Sequence, residues 1–195
     1  MQQILDRVQA IILRPRETWP IIKDEPATTG ELYRNYIMIL AAVQTLSMFI
    51  GMWIFGGAIF HRVGLSFFQG IAWAVVHYLF TLASVYIAAK VVESLAPTFD
   101  AKKDFISALK VVAYSWTPAF VIAVVHIIPG LSILTILGLY GLYLFYIGLP
   151  YLMECPPEKA LPYAALSIII SLVIYMILSI VPALMVGFPS MNGSF

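Results

Sequence analysis

Between Val111 and Met153 the chain carries no Asp, Glu, Lys or Arg, and from Ala160 to Phe195 side-chain charge is absent again. Charged residues make up only 11% of the 195 positions while 62% are hydrophobic, far from the roughly 25% charge of a soluble domain. The charge-free tracts fill so much of the chain that no room is left for a separate soluble catalytic module. A net charge of +1, with no basic face interleaved with aromatics, excludes a nucleic-acid partner. The single cysteine, Cys155, excludes an internal disulfide framework. It could be a juxtamembrane acylation site or a nucleophile, but a lone buried thiol is the preferred reading. No short apolar core with a small-residue cleavage site opens the chain, so no removable signal peptide is expected. Phosphate-binding glycine loops, a G-x-S-x-G elbow and H-E-x-x-H are all missing. His61, His77 and His126 are too scattered for a metal motif, so neither a metal nor a cofactor is expected.

What is there reads as an all-α polytopic membrane protein. The tract 111–153 is too long for one crossing of a hydrocarbon core about 30 Å thick and right for two. Pro129-Gly130 is its only strong turn signal, which makes it a transmembrane hairpin. Apolar tracts predict five spans, at about 36–60, 65–89, 106–128, 131–153 and 161–186, within a membrane domain of residues 34–188. Residues 1–33 form an N-terminal segment and linker, and residues 189–195 a tail.

In the N-terminal segment Ile4, Leu5, Val8, Ile11 and Ile12 share one arc of a helical wheel, opposite Gln2, Asp6 and Gln9. This short amphipathic helix either lies in the headgroup plane against anionic lipid or caps the protein's own cytoplasmic face. Thr28 and Glu31 have capping-box spacing at the start of the first span. Asp100 is a fair N-cap for the helix that enters the hairpin. In the third span Thr117-Pro118 removes the donor for the Tyr114 carbonyl, so a kink is expected at Pro118, with Ser115 or Thr117 compensating. Gly138, Gly141 and Gly148 mark a face of the fourth span where another helix can approach closely.

Intramembrane chemistry is sparse. His77, Thr81 and Ser84 make an i, i+4, i+7 polar stripe in the second span. It is either a substrate or proton site or, preferably, a histidine satisfied by a neighbouring helix, because it lacks a paired acid. Ten of the basic residues, from Arg7 to Lys159, fall on one side of a five-span layout and only Arg62 on the other. The positive-inside rule then puts the N-terminus in the cytoplasm and the 61–64 turn, the 129–130 turn and the C-terminus outside the plasma (inner) membrane.

Leu13-Arg14-Pro15-Arg16-Glu17-Thr18-Trp19 with Glu25-Pro26, then Ala113-Tyr114-Ser115-Trp116-Thr117-Pro118, then Gly148-Leu149-Pro150 through Glu158-Lys159-Ala160, together resemble the Yip-domain family, named for Ypt-interacting proteins. The likeness is greatest to its short bacterial membrane members. It implies an integral membrane bundle with a cytosolic N-terminus and, by way of eukaryotic relatives, links to small GTPases and vesicle traffic. Those relatives carry a longer N-terminal region with an Asp-Leu-Tyr-Gly-Pro type motif, of which Glu31-Leu32-Tyr33-Arg34 is a partial echo. No catalytic residue is carried over. The expected function is that of a non-enzymatic membrane organiser or adaptor, bound to membrane lipid and meeting a protein partner at its cytoplasmic face through the N-terminal segment and the 93–104 loop. The alternative is a small-solute transporter or channel with His77, Thr81 and Ser84 beside the Pro118 kink.

Overall fold

The computed structural model describes residues 2–55 and 67–186, and every regular element among them is helical. The expected 61–64 turn, the tail 189–195 and parts of the first two spans lie outside the described residues. Two short helices, α1 (Gln2–Leu13) and α2 (Pro15–Asp24), precede α3 (Thr29–Leu32). A π-helical turn, Tyr33–Ile37, then leads into α4 (Met38–Phe55). Next come α5 (Phe67–Leu95), α6 (Phe105–Ser115), α7 (Thr117–Ile122), α8 (Tyr140–Leu152) and α9 (Pro157–Val186).

Local chemistry sets several boundaries. The Thr28 hydroxyl accepts from the Glu31 N–H (3.2 Å), and the Glu31 carboxylate accepts from the Thr28 N–H (2.8 Å). Two otherwise orphaned donors are thus satisfied at the mouth of α3. The entrance to α6 departs from the sequence reading: Asp104, not Asp100, is its N-cap, accepting the Ser107 N–H at 2.8 Å. Burial pushes the Asp104 carboxyl up, but hydrogen bonds from Ser107 outweigh it and leave the group below its ordinary value. Asp100 instead closes the 3-10 turn Ala96–Phe99 in the left-handed region (φ 53°) and pairs with Lys159. An aspartate tolerates that conformation better than most side chains do, so the chain can reverse there without glycine.

Four helical stretches among the described residues are long and apolar enough to cross a bilayer: Phe67–Phe99, Phe105–Ile127, Ile133–Leu152 and Pro157–Ile177. In the second, 67% of the most apolar window is buried inside the protein, against 17–22% in the others. The α6 helix is therefore the axis of the bundle, and the rest expose apolar side chains where lipid would meet them. The hairpin is less regular than two α-helices. Its distal half is 3-10 helix, over Ala123–Ile127 and Pro129–Leu139.

Tyrosine hydroxyls join the spans where lipid offers no hydrophobic drive for association. Tyr33 donates to the Leu82 carbonyl at 2.9 Å, Tyr36 pairs with Thr117 Oγ1 at 2.7 Å and Tyr163 donates to the Val92 carbonyl at 2.6 Å. Cys155 is free and buried between α8 and α9, and burial pushes its thiol up to about 11. At neutral pH that leaves almost no thiolate. Iodoacetamide at pH 7.5 should therefore modify the folded protein at least about tenfold more slowly than the SDS-denatured chain. Equal rates by mass spectrometry would refute the buried-thiol reading.

Candidate functional site

The helix break at Trp116 opens the middle of the bundle. Pro118 has no N–H to continue the α6 ladder, and it lies in the first turn of α7. The Trp116 N–H turns back to the carbonyls of Val112 and Tyr114. The expected side-chain compensation is absent: Thr117 spends its hydroxyl on Tyr36, and the Ser115 hydroxyl has no partner. Small residues then surround the break. A Cβ on Gly141 would lie 2.5 Å from the Ser115 carbonyl oxygen, so α8 passes the broken helix backbone to backbone. Gly138 sits more loosely, with the Ala119 Cα at 3.5 Å.

A cavity of 390 Å³ occupies the space between α5, the α6–α7 break, α8 and α9. His77, Thr81 and Ser84 all line it, together with Gly138 and Gly141. Within the stripe, however, most polarity is turned inward on its own helix. Thr81 donates to the His77 carbonyl (2.9 Å) and Ser84 to the Phe80 carbonyl (2.8 Å). His77 Nδ1 lies 3.3 Å from Thr45 Oγ1 on α4, and its ring stacks on Trp73 with centroids 4.9 Å apart. Missed by the sequence reading were Gln44 and the stripe Ser167, Ser171 and Tyr175, which face the same cavity. Their i, i+4, i+8 spacing on α9 is the signal that could have found them. No group of three His, Cys, Asp or Glu that could hold a metal ion exists among the described residues.

A second constellation lies at the N-terminal segment. Helices α1 and α2 fold back on each other, with Thr18 donating to the Ala10 carbonyl (3.0 Å) and Arg7 paired with Glu25. The pair is docked onto the bundle, α1 on α7 and α2 on α8. Val8 and Ile11 face inward while Leu5 and Leu13 are exposed. Trp19 is fully buried, its ring edge-on to Tyr114 at 6.4 Å. A Cβ on Gly148 would fall 2.7 Å from the indole, so this glycine is the floor on which Trp19 rests. Lys110 is buried and donates to the carbonyls of Ile22 (2.7 Å) and Glu25 (2.5 Å) at the end of α2. A cation there meets both the unpaired carbonyls and the negative end of the helix dipole. Lys23 pairs with Glu154 at 2.8 Å and holds its carboxyl below the ordinary value. Three separated stretches thus meet around one ring: Arg14 to Trp19, Ala113 to Pro118, and Gly148 to Pro150.

Those stretches lie within the ones on which the resemblance rests. The model of the Yip1 domain matches residues 10–180. Two curated relatives, each called "Inner membrane protein YohC", come from Escherichia coli K12 and from an O6:H1 strain of Escherichia coli. Each is 23% identical over 192 residues, covering 94% of this chain and 97% of the relative. No solved structure matches. With the family model covering most of its length and its motif stretches packed into one helical bundle, the chain belongs to the Yip1 domain family of integral membrane proteins.

Proposed function

We propose that the protein is a non-enzymatic organiser or adaptor of the inner membrane, a five-span bundle that recruits a protein partner at its cytoplasmic face. Met38–Phe55 would be the first of the five spans. The inner-membrane location rests on the name of the relatives. One observation carries the reading. The 96–104 connection is a built platform: the Lys102 N–H donates to the Met153 carbonyl (2.7 Å), Asp100 pairs with Lys159, and Phe99 stacks on Tyr163 at 4.9 Å. It holds Lys102 and Lys103 exposed. A fixed array of basic side chains is suited to an acidic protein surface. The surrounding chemistry agrees, since among the described residues no carboxylate, ammonium or guanidinium lines the cavity.

Site-specific photo-crosslinkers at positions 102 and 103, activated in native membranes, should give a discrete protein adduct that Lys102→Glu/Lys103→Glu abolishes. A crosslinker at Ile133 should not give it. A C-terminal reporter active only in the cytoplasm should stay silent; activity would overturn the five-span topology. The rival reading, a small-solute transporter or channel, draws support from the cavity that His77, Thr81 and Ser84 share beside the helix break. Solute flux in liposomes that stops with His77→Ala would replace the adaptor reading with it.

A further inference from the structure

We infer that the cavity between α5, α6–α7, α8 and α9 binds a membrane-resident amphiphile with a small uncharged head that both donates and accepts hydrogen bonds, and an alkyl tail. This is independent of the recruitment reading. The lining along α5 runs from His77 to Val92, about 22 Å of helix, so 390 Å³ is spread along a narrow slot suited to a chain. The volume falls within the roughly 300–1,000 Å³ of small-molecule sites. Leu139, Leu142, Leu172 and Tyr175 line the slot and are also 59%, 47%, 55% and 44% exposed on the outside of the bundle. They frame a sideways mouth between α8 and α9, which opens where lipid surrounds the spans.

The polar wall defines the head. Ser115 and Ser167 are 0% and 1% exposed, and their hydroxyls have no partner; neither does the buried Gln44 amide oxygen. Each such group costs about 1–3 kcal/mol when left unpaired, and three around one cavity are a strong reason for a ligand that meets them. Gln44 Oε1 needs a donor, the two serines can give or accept, and Thr81 and Ser84 keep acceptor lone pairs after donating to their own helix. An alcohol, a monoacylglycerol or a primary amide brings both a donor and an acceptor to this wall. An ionised carboxylate brings no donor for Gln44, a quaternary ammonium brings no donor or acceptor, and no Asp, Glu, Lys or Arg among the described residues lines the wall.

The test uses the full chain in lipid nanodiscs with a diazirine-tailed monomyristoylglycerol, beside analogues of the same tail ending in carboxylate or trimethylammonium. The neutral probe should label residues 138–145 and 167–175 at least about fivefold more than either charged analogue, and excess monomyristoylglycerol should remove the label. Ser115→Ala/Ser167→Ala should cut labelling about fivefold. Leu172→Trp, placed at the mouth on a lipid-exposed position, should block it with the melting temperature unchanged. Equal labelling by the three probes, label confined to lipid-facing positions such as Ile133, or indifference to Leu172→Trp would overturn the inference. Displacement by free glycerol as effective as by monomyristoylglycerol would overturn the membrane source in favour of a water-borne solute.

Discussion

Lys110→Met should release the N-terminal helices from the bundle. The substitution keeps the length and apolar stem of the side chain but removes the charge that caps α2 at the Ile22 and Glu25 carbonyls. Lys110 is 6% exposed, so solvent does not replace the lost donor readily. A charge-assisted bond is worth about 1.5–3 kcal/mol, and stranding the carbonyls adds to the loss. A destabilisation of about 3 kcal/mol is expected, enough to lower the melting temperature in detergent by about 5 °C or more. Limited proteolysis should then cut within residues 13–28, because Trp19 leaves its seat on Gly148 when α2 detaches. An unchanged melting curve together with protection of that segment would show that packing alone holds α2.

At the helix break the expectation is a contrast between two neighbouring glycines. Gly141→Ala should lower thermal stability by about 2–3 kcal/mol, as an overpacked contact does, because its Cβ would meet a backbone oxygen at 2.5 Å. Backbone cannot swing aside as a side chain can, so α8 would have to move. Gly138→Ala should be nearly neutral, since its Cβ would stand at ordinary contact distance from Ala119 and Ile122, 3.5 Å away. Gly141→Leu should be worse than Ala. Melting profiles of the three variants decide the matter: equal behaviour at 138 and 141 would mean that α8 does not lie against Ser115.

Much of this protein was legible in order of residues. Charge-free tracts of sufficient length mark spans because a bilayer punishes every unpaired charge and polar backbone group, and that penalty needs no knowledge of neighbours. The Thr28–Glu31 box was equally readable, since both partners lie within one turn. Pro118 announced a disturbance because the missing N–H is a property of one residue. What happens to the groups it frees was not readable: Ser115 and Thr117 looked interchangeable as compensators, and Thr117 is drawn off by Tyr36, 81 positions away. The same limit explains Asp100 and Asp104, two plausible caps four residues apart whose roles depend on where Lys159 arrives. Lys110 shows the limit most plainly. By sequence it is one more basic residue on the cytoplasmic side; in the fold it is a buried cap for a helix 88 residues away from it in the chain. The sequence alone marked the four described stretches that are long and apolar enough to cross a membrane and carried the family match, because both rest on local composition and order. Tertiary structure alone decided that α6 is the axis, that His77, Thr81 and Ser84 share a cavity with Ser115 and Ser167, and that Trp19 sits on Gly148. Those outcomes depend on how rigid helices meet, and in lipid that choice rests on close fit and single hydrogen bonds rather than on hydrophobicity.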